Sequence, residues 1–181
     1  MKLLKIFTLM IVGFCALASC SDNDGDGDAE RQPSPAERLA GTYKGVNNVV
    51  VAGQTYVADI EYKILANADS TISVVVPEYS LQNTIMGNLT LGAYTISNIP
   101  YNASQKTFSK VYGSDGLSQQ FKAVKVVNGV EQTTMDAVYS FDASSSVSVQ
   151  RSGSIGLTVG NSFKLGKMPF DIVANFISAV Q

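Results

Sequence analysis

Apolar and polar residues alternate with a period of two in two segments, and this pattern restricts the fold more than any other feature of the chain. Within residues 55–64, for example, Ile60 lies between Asp59 and Glu61, and residues 135–143 repeat the alternation. Because successive side chains of a strand point to opposite faces, such a segment has one face in a core and the other in water. The sequence therefore predicts half-buried β-strands.

Turn residues divide the chain into about nine such strands. Asn128-Gly129 is the strongest hairpin signal, since both central residues of a type I′ turn need positive φ. Ala52-Gly53, residues 67–70, Asp115-Gly116 and Asn161 are further turn candidates. The runs between these turns predict strands at 42–51, 54–66, 71–77, 88–97, 107–112, 118–127, 130–142, 146–150 with 154–159, and 170–179.

The order of these elements predicts an all-β fold. The final run, 170–179, also fits one stripe of a helix, and we favour the strand. No alternation of strands with helices is visible, which argues against a parallel sheet. We expect residues 39–181 to form a single antiparallel β-barrel or sandwich of about 8–10 strands, with the barrel favoured because closure removes the sheet edges.

Charge and residue usage exclude several functions. Residues 39–181 contain nine acidic and nine basic residues, so nothing indicates the basic patch that nucleic-acid binding requires. The chain has no histidine, and its two cysteines, Cys15 and Cys20, both lie near the N-terminus. Ser-His-Asp, Cys-His and ordinary zinc sites are therefore excluded, and we predict no catalytic residue, no metal site and no cofactor.

The N-terminus has the pattern of a lipoprotein signal peptide. Basic residues in 1–5 are followed by an apolar run over 6–17, about 12 residues, which is too short to span a bilayer as a helix. Leu17-Ala18-Ser19-Cys20 resembles a bacterial lipobox, in which the cysteine becomes the lipidated first residue. We expect residues 1–19 to be removed and the lipid on Cys20 to attach the protein to a membrane.

An acidic segment follows the cysteine. Residues 20–38 begin CSDNDGDGDAE, and residues 20–37 contain six acids and one base, a balance of −5. The first positions match an EF-hand calcium loop, but Pro33 occupies the twelfth position, where a bidentate carboxylate is needed. Low apolar content and like charge instead predict a disordered tether over 20–38.

The start of this tether also resembles an export signal. Ser21, Asp22 and Asp24 follow Cys20 as in the acidic signal that directs many lipoproteins of the Bacteroides group to the cell exterior. The resemblance implies a lipid-anchored outer-membrane protein on the surface of a Gram-negative bacterium. The alternative is an outer-membrane anchor that faces the periplasm.

Three short motifs resemble one family. Residues 39–45 (LAGTYKG), 98–101 (NIPY) and 167–170 (KMPF) are similar to the calycin-like β-barrel family of Bacteroides-group lipoproteins. The resemblance implies a lipocalin-like antiparallel barrel whose interior holds a small apolar ligand. The chain departs from true lipocalins at Gly41-Thr42-Tyr43, where those proteins have Gly-x-Trp, and it contains no tryptophan.

Aromatic residues are the candidates for lining a ligand cavity, because tyrosine combines an apolar ring with a polar hydroxyl. We single out Tyr43, Tyr56, Tyr62, Tyr94, Tyr139 and Phe141, with Tyr101, Tyr112 and Phe121 as further members of the set. The alternative, which we favour, is that the rings fill the barrel, since about eight strands enclose a space that side chains can occupy. Exposed tyrosines that bind sugars are a further use of the same residues.

Two polar features complete the candidate sites. Asp59 and Glu61 lie about 7 Å apart on one strand face, the spacing expected from a rise of about 3.3 Å per residue. Lys63 continues that face, so we interpret the acids as solvated rather than as a glycosidase pair. Asp69-Ser70-Thr71 resembles the short O-glycosylation acceptor of the same bacterial group, with Ser70 as the acceptor.

Three functions therefore remain. The preferred one is a non-enzymatic barrel that binds a small apolar or glycan ligand. The second is a protein-interaction module, such as an inhibitor or an accessory subunit of an envelope complex, whose partner the sequence does not name. The third is an enzyme with a carboxylate pair.

Overall fold

The computed structural model describes residues 31–153 and 156–178. The predicted signal peptide, the lipidation site Cys20 and the export signal Ser21, Asp22 and Asp24 lie outside the described residues. One short helix and thirteen strands make up the described part. They are α1 (Pro35–Leu39), β1 (Gly41–Val51), β2 (Gln54–Ala66), β3 (Ile72–Val76), β4 (Tyr79–Thr84), β5 (Gly87–Leu91), β6 (Tyr94–Ile99), β7 (Tyr101–Asn102), β8 (Thr107–Val111), β9 (Ser118–Val127), β10 (Val130–Ser140), β11 (Ser146–Ser152), β12 (Gly156–Phe163) and β13 (Ile172–Ser178).

These strands form a nearly closed antiparallel barrel. Nine of them make one sheet in the order β6-β3-β2-β1-β13-β12-β11-β8-β7, and β10-β9-β5-β4 make a second. The end of β10 joins the segment after β12 through a bridge between Phe141 and Leu165 and a hydrogen bond from the Gly166 amide to the Ser140 carbonyl, 2.9 Å. The all-β antiparallel barrel predicted from the sequence is confirmed.

The described part has thirteen strands where about nine were predicted, because the runs at 88–97 and 146–159 each form two strands and because β4 and β7 were not predicted. The run predicted at 88–97 is divided into β5 and β6 at Gly92, which approaches the backbone of Gln120 closely and donates its amide to the Gln120 carbonyl at 2.8 Å. Strand β4 was not predicted, because Asn83 has a φ of 55° and shifts the register between Leu81 and Thr84.

Helix α1 corrects the predicted boundary of the tether. Ser34 caps the helix: its hydroxyl accepts the Glu37 amide at 3.2 Å, and the Glu37 carboxylate accepts the Ser34 amide at 2.6 Å. Ala36 and Leu39 are buried in the core. The last residues assigned to the disordered tether, 35–38, are therefore helical and packed against the barrel, because two apolar residues on one side of the helix find a core to enter.

The final run is a strand, as we favoured. In β13 the residues Ile172, Ala174 and Phe176 are buried, and the residues between them are more exposed. Strand β13 pairs with β1 on one side and β12 on the other. The helix alternative for this segment is wrong, since burial follows a period of two and not 3.6.

Candidate functional site

The barrel interior contains three of the predicted cavity residues. Tyr62, Tyr94 and Phe141 are buried. Their rings lie against other rings, with centroid distances of 4.6 Å from Tyr62 to Phe176, 4.9 Å from Tyr94 to Phe141 and 5.6 Å from Phe141 to Phe163. Such distances are those of packed aromatic pairs. These residues fill space inside the barrel, as the favoured alternative of the sequence analysis expects.

The other three predicted cavity residues are half-buried at separate places. The Tyr43 hydroxyl donates to the Leu39 carbonyl at 2.9 Å, next to helix α1. The Tyr56 hydroxyl donates to Gln54 Oε1 at 2.7 Å, and Tyr139 packs edge-on against Phe121 at 6.3 Å. The structure therefore does not bring the six residues together around one cavity.

A buried polar network lies among the interior rings. The Tyr112 hydroxyl donates to Asn161 Oδ1 at 2.8 Å, and Asn161 Nδ2 donates to the Tyr94 hydroxyl at 2.5 Å. Burial raises the pKa of both tyrosines well above the ordinary value, with the hydrogen bonds to Asn161 opposing part of that rise. Asn161 is an interior residue of β12, so its prediction as a turn residue is wrong. Strands β11 and β13 pair with β12 on its two sides, and the two phenol groups bind the Asn161 amide.

Asn47 is the second buried asparagine of the barrel. It lies in β1 opposite Ala58 and Phe176, and it is fully buried. Neither its amide nitrogen nor its amide oxygen has a hydrogen-bond partner among the described residues. An unsatisfied buried polar group costs about 1–3 kcal/mol, so Asn47 marks a point where polarity is retained inside an apolar barrel.

Part of the outer face of the large sheet is almost uncharged, although Lys44, Glu61 and Lys63 carry charges where β1 and β2 continue the same face. Across β2, β1, β13, β12, β11 and β8, three successive rows of paired residues point outward, and only Asp59 among these eighteen residues is charged. Sequence analysis did not identify this surface, because its residues come from six strands and become neighbours only through the register. The rows are Ser109, Ser148, Gly160, Asn175, Asn48 and Val57; Val111, Ser146, Ser162, Val173, Val50 and Thr55; and Gln150, Thr158, Ile177, Val46 and Asp59, with Thr107 joined to Gln150 by a side-chain hydrogen bond of 3.4 Å.

An open groove of about 500 Å³ runs over this face, which we call the outer groove. Its polar lining consists mainly of serine hydroxyls with the exposed Asn175 amide, and Val111 and Val173 supply apolar contacts. Lys110 also lines the groove, but its ammonium is held by the Asp115 carboxylate at 2.6 Å and by the Ser97 carbonyl at 2.9 Å. The groove thus offers uncharged hydrogen-bonding groups beside two apolar side chains.

Gly160 lies in the floor of the outer groove. A Cβ atom at this position would lie 3.0 Å from Ser148 Oγ and 3.7 Å from Asn175 Oδ1. The absence of a side chain therefore keeps the space between these two polar groups open. A glycine inside a strand weakens it and often marks a place where another molecule approaches the backbone.

The acidic residues considered for catalysis lie on the outside of the barrel. Asp59 and Glu61 are exposed, as we expected, and the Glu61 carboxylate lies 3.7 Å from the Lys44 ammonium. They line a shallow depression together with Lys44. The described residues contain no group of three or more His, Cys, Asp or Glu side chains that could hold a metal ion.

Ser70 occupies the predicted turn between β2 and β3. It is exposed, has a φ of 65°, and donates its amide to the Asn67 carbonyl at 3.1 Å. Asp69 accepts both the amide and the hydroxyl of Thr71, which lowers the pKa of its carboxyl. The turn is confirmed, and O-glycosylation of Ser70 stays a prediction.

Comparisons with known proteins match the barrel. The sequence model of the calycin-like beta-barrel domain family matches residues 39–179. No curated protein is significantly similar to the chain. None of the helices in the described residues is long and apolar enough to cross a membrane.

One solved structure shares the fold. It is a crystal structure from Bacteroides fragilis described as that of a "putative outer membrane protein", with a TM-score of 0.50 and 19% sequence identity. The match covers 81% of this chain and 52% of that one, so the chain spans about half the length of the solved protein. At this identity the likeness concerns the fold alone.

Proposed function

We propose that this chain, which belongs to the calycin-like β-barrel domain family, is an outer-membrane lipoprotein whose barrel is a non-enzymatic binding module on the cell surface. The lipobox ending at Cys20 and the acidic residues after it support the anchor and the location. The description of the similar Bacteroides fragilis protein supports the same membrane.

For the ligand we propose an uncharged glycan bound in the outer groove. The observation that carries this proposal is the uncharged part of the outer face, where serine hydroxyls and the Asn175 amide surround the open floor at Gly160. Hydroxyl and amide groups both donate and accept hydrogen bonds, which matches the hydroxyl groups of a sugar. An apolar ligand is less well matched here, because the polar groups of the groove would lose water without gaining a partner.

The interior supports this choice of site over the barrel cavity of the sequence analysis. The rings of Tyr62, Tyr94 and Phe141 pack on other rings, so a ligand inside would have to displace them. The outer groove needs no such rearrangement. An open shape also suits a chain of sugars that runs across the strands.

The glycan proposal is tested by binding of the full-length lipoprotein to an array of neutral glycans. Gly160→Val fills the groove floor and is expected to reduce binding by about tenfold or more, since a loss of about 1.4 kcal/mol in binding free energy is a tenfold loss in affinity. Thr158→Val is the matched control, because it adds a valine to the same strand face but lies outside the groove lining. Equal binding by both variants and the natural protein would contradict the outer groove as the site.

The anchor and location are tested separately. Cys20→Ala is expected to abolish incorporation of labelled palmitate and to release the protein from the membrane fraction. In the natural protein, protease added to intact cells is expected to digest the barrel. Replacement of Asp22 and Asp24 by alanine is expected to protect it by retaining it inside the outer membrane. Digestion that is equal in both proteins would argue against these aspartates as the export signal.

A protein-interaction module is the second candidate, and strand β10 is the observation that favours it. β10 is the edge of the smaller sheet, none of its residues is buried, and Val130 and Val138 are 61% and 62% exposed. Exposed edges of this kind accept a strand from a partner. Native mass spectrometry of the detergent-extracted protein distinguishes the candidates, because a subunit lost on Val138→Lys but kept on Val57→Lys would support this one.

A further inference from the structure

A second, smaller pocket lies between helix α1 and strands β7, β8 and β11, and it shares no lining residue with the outer groove. Its volume is about 180 Å³. Leu39, Phe108 and Val149 line it with buried apolar side chains, and the Tyr101 ring packs on Phe108 at a centroid distance of 4.9 Å. A cavity of about 150 Å³ accommodates one benzene molecule, so this pocket has room for one ring or a short chain.

Three cationic side chains line the same pocket. They are Arg38 of α1, Lys106 before β8 and Arg151 of β11, and no acidic residue contributes to the lining. Residues 35–178 contain ten basic and ten acidic residues, so three of the ten bases line one small opening of a domain whose overall charge is zero.

The helix and the sheet carry two of these cations, Arg38 and Arg151, while Lys106 lies in an exposed loop. Arg151 Nη1 donates to the Arg38 carbonyl at 3.5 Å, which connects β11 to α1. Leu39 and Ala36 fix the helix in the core. Two of the three positive charges therefore lie on packed elements beside an apolar floor.

We propose that this pocket binds a small amphiphilic anion: a phosphate or carboxylate group attached to one apolar ring or short chain. The apolar part lies on Phe108, Leu39 and Val149, and the anionic group lies between Arg38, Lys106 and Arg151. Guanidinium groups match phosphate and carboxylate geometry through paired hydrogen bonds. This ligand differs in charge and size from the neutral glycan proposed for the outer groove, so either proposal stands without the other.

The test uses the full-length lipoprotein in nanodiscs of zwitterionic lipid, with phenyl phosphate as the probe and phenol and inorganic phosphate as its two halves. We expect phenyl phosphate to bind at least about tenfold more tightly than either half, since both the ring and the charge find a partner. Binding no tighter than that of inorganic phosphate would overturn the proposal.

Charge variants locate the site. Arg38→Gln and Lys106→Gln are each expected to weaken phenyl phosphate binding by about tenfold, the effect of removing one charge-assisted hydrogen bond. Lys122→Gln and Lys125→Gln remove the same charge from β9 and are expected to leave binding unchanged. Because Lys106 is exposed in a loop, its variant folds even if Arg38→Gln does not. Equal weakening by the β9 variants would overturn the site in favour of general electrostatic attraction.

A second binding experiment, with an anionic lipid in the nanodiscs, identifies the source of the ligand. Nanodiscs that contain phosphatidic acid present the same phosphate chemistry as a membrane lipid. Competition with phenyl phosphate in those discs, absent in Lys106→Gln, supports a lipid headgroup as the occupant. Unchanged phenyl phosphate affinity there supports a free small molecule.

Discussion

Two buried asparagines of the barrel differ in how their amides are satisfied. Asn161 bonds to two phenolic hydroxyls, whereas Asn47 has no partner among the described residues. Removing one member of a satisfied pair leaves the other members buried and unpaired. Replacing a buried polar group that has no hydrogen-bond partner removes the free-energy cost of burying it. The same chemical change should therefore have opposite effects at the two positions.

We predict that Asn161→Leu lowers the free energy of unfolding by about 1–3 kcal/mol, because the hydroxyls of Tyr94 and Tyr112 lose their amide partner. Asn47→Leu, a similar change in size, is expected to be neutral or stabilising. Urea denaturation of both variants, with equal m-values, checks the prediction. A large loss at Asn47 would instead indicate that its amide has an essential partner beyond the described protein atoms.

For single residues, the alternation of apolar and polar positions was a better guide to exposure than the residue type alone. The outward direction of Asp59 and Glu61 followed from their alternation with Ile60 and is confirmed. The burial of Asn161 could not follow from the same reasoning, because asparagine is common in turns and its two tyrosine partners are 49 and 67 positions away in the chain. Long-range partners override a local preference, and no single-sequence pattern records them.

Helix α1 is the element with the clearest local signal, although we assigned most of its residues to the tether. Ser34-Pro35 followed by Glu37 is a capping box with proline at the first helical position. The acidic composition around it concealed that signal. In contrast, Asn128 and Gly129 have φ values of 53° and 77°, so the predicted β9–β10 hairpin turn is confirmed.

We predict that Ser34→Ala lowers the free energy of unfolding by about 0.5–2 kcal/mol, since the Glu37 amide loses its cap. Hydrogen exchange should become faster at the Arg38 and Ala40 amides, which donate to Ser34 and Ala36. Ser118→Ala, at an exposed strand position, is the matched control. Unchanged exchange in Ser34→Ala would show that tertiary packing of Leu39 alone holds the helix.

The barrel as a whole was predictable because, for most strands, the two-residue alternation of apolar and polar residues and the turn residues at the strand ends indicate the same segments. β2 and β9 have the predicted bounds, and the single antiparallel architecture is confirmed. The division into two sheets was not predictable. It depends on which strands pair over long separations in the chain, such as β5 with β9 and β1 with β13, and a single sequence does not record those partners.

Stability of the whole molecule should depend on pH mainly at the two extremes. The chain has no histidine, so few groups titrate between about pH 5 and 8. Burial raises the pKa of Tyr62, Tyr94 and Tyr112. A tyrosine whose pKa is raised in the folded state contributes to the free energy of unfolding at pH values below its pKa in the unfolded state, which is about 10. That contribution is lost as the pH rises above this value. Hydrogen bonds lower the pKa of Asp142, so its contribution is lost as pH falls below about 4.

We therefore predict a plateau in the free energy of unfolding from about pH 5 to 9 and a decline above about pH 10. Tyr112→Phe should reduce the slope of the decline at alkaline pH, because it removes one group whose pKa is raised by burial. Denaturation curves at a series of pH values measure both slopes. Stability that rises above pH 10 would contradict the burial of these phenols.

The uncharged part of the outer face has a consequence for how the two proposed sites respond to ionic strength. At about 1 M salt the electrostatic screening length falls to about 3 Å, which weakens attraction between exposed charges. A ligand held by serine hydroxyls and the Asn175 amide has little such attraction to lose. An anion held by Arg38 and Lys106 depends on that attraction and should therefore bind much more weakly at high salt. A change of buffer salt alone should therefore empty the pocket under α1 while the outer groove stays occupied.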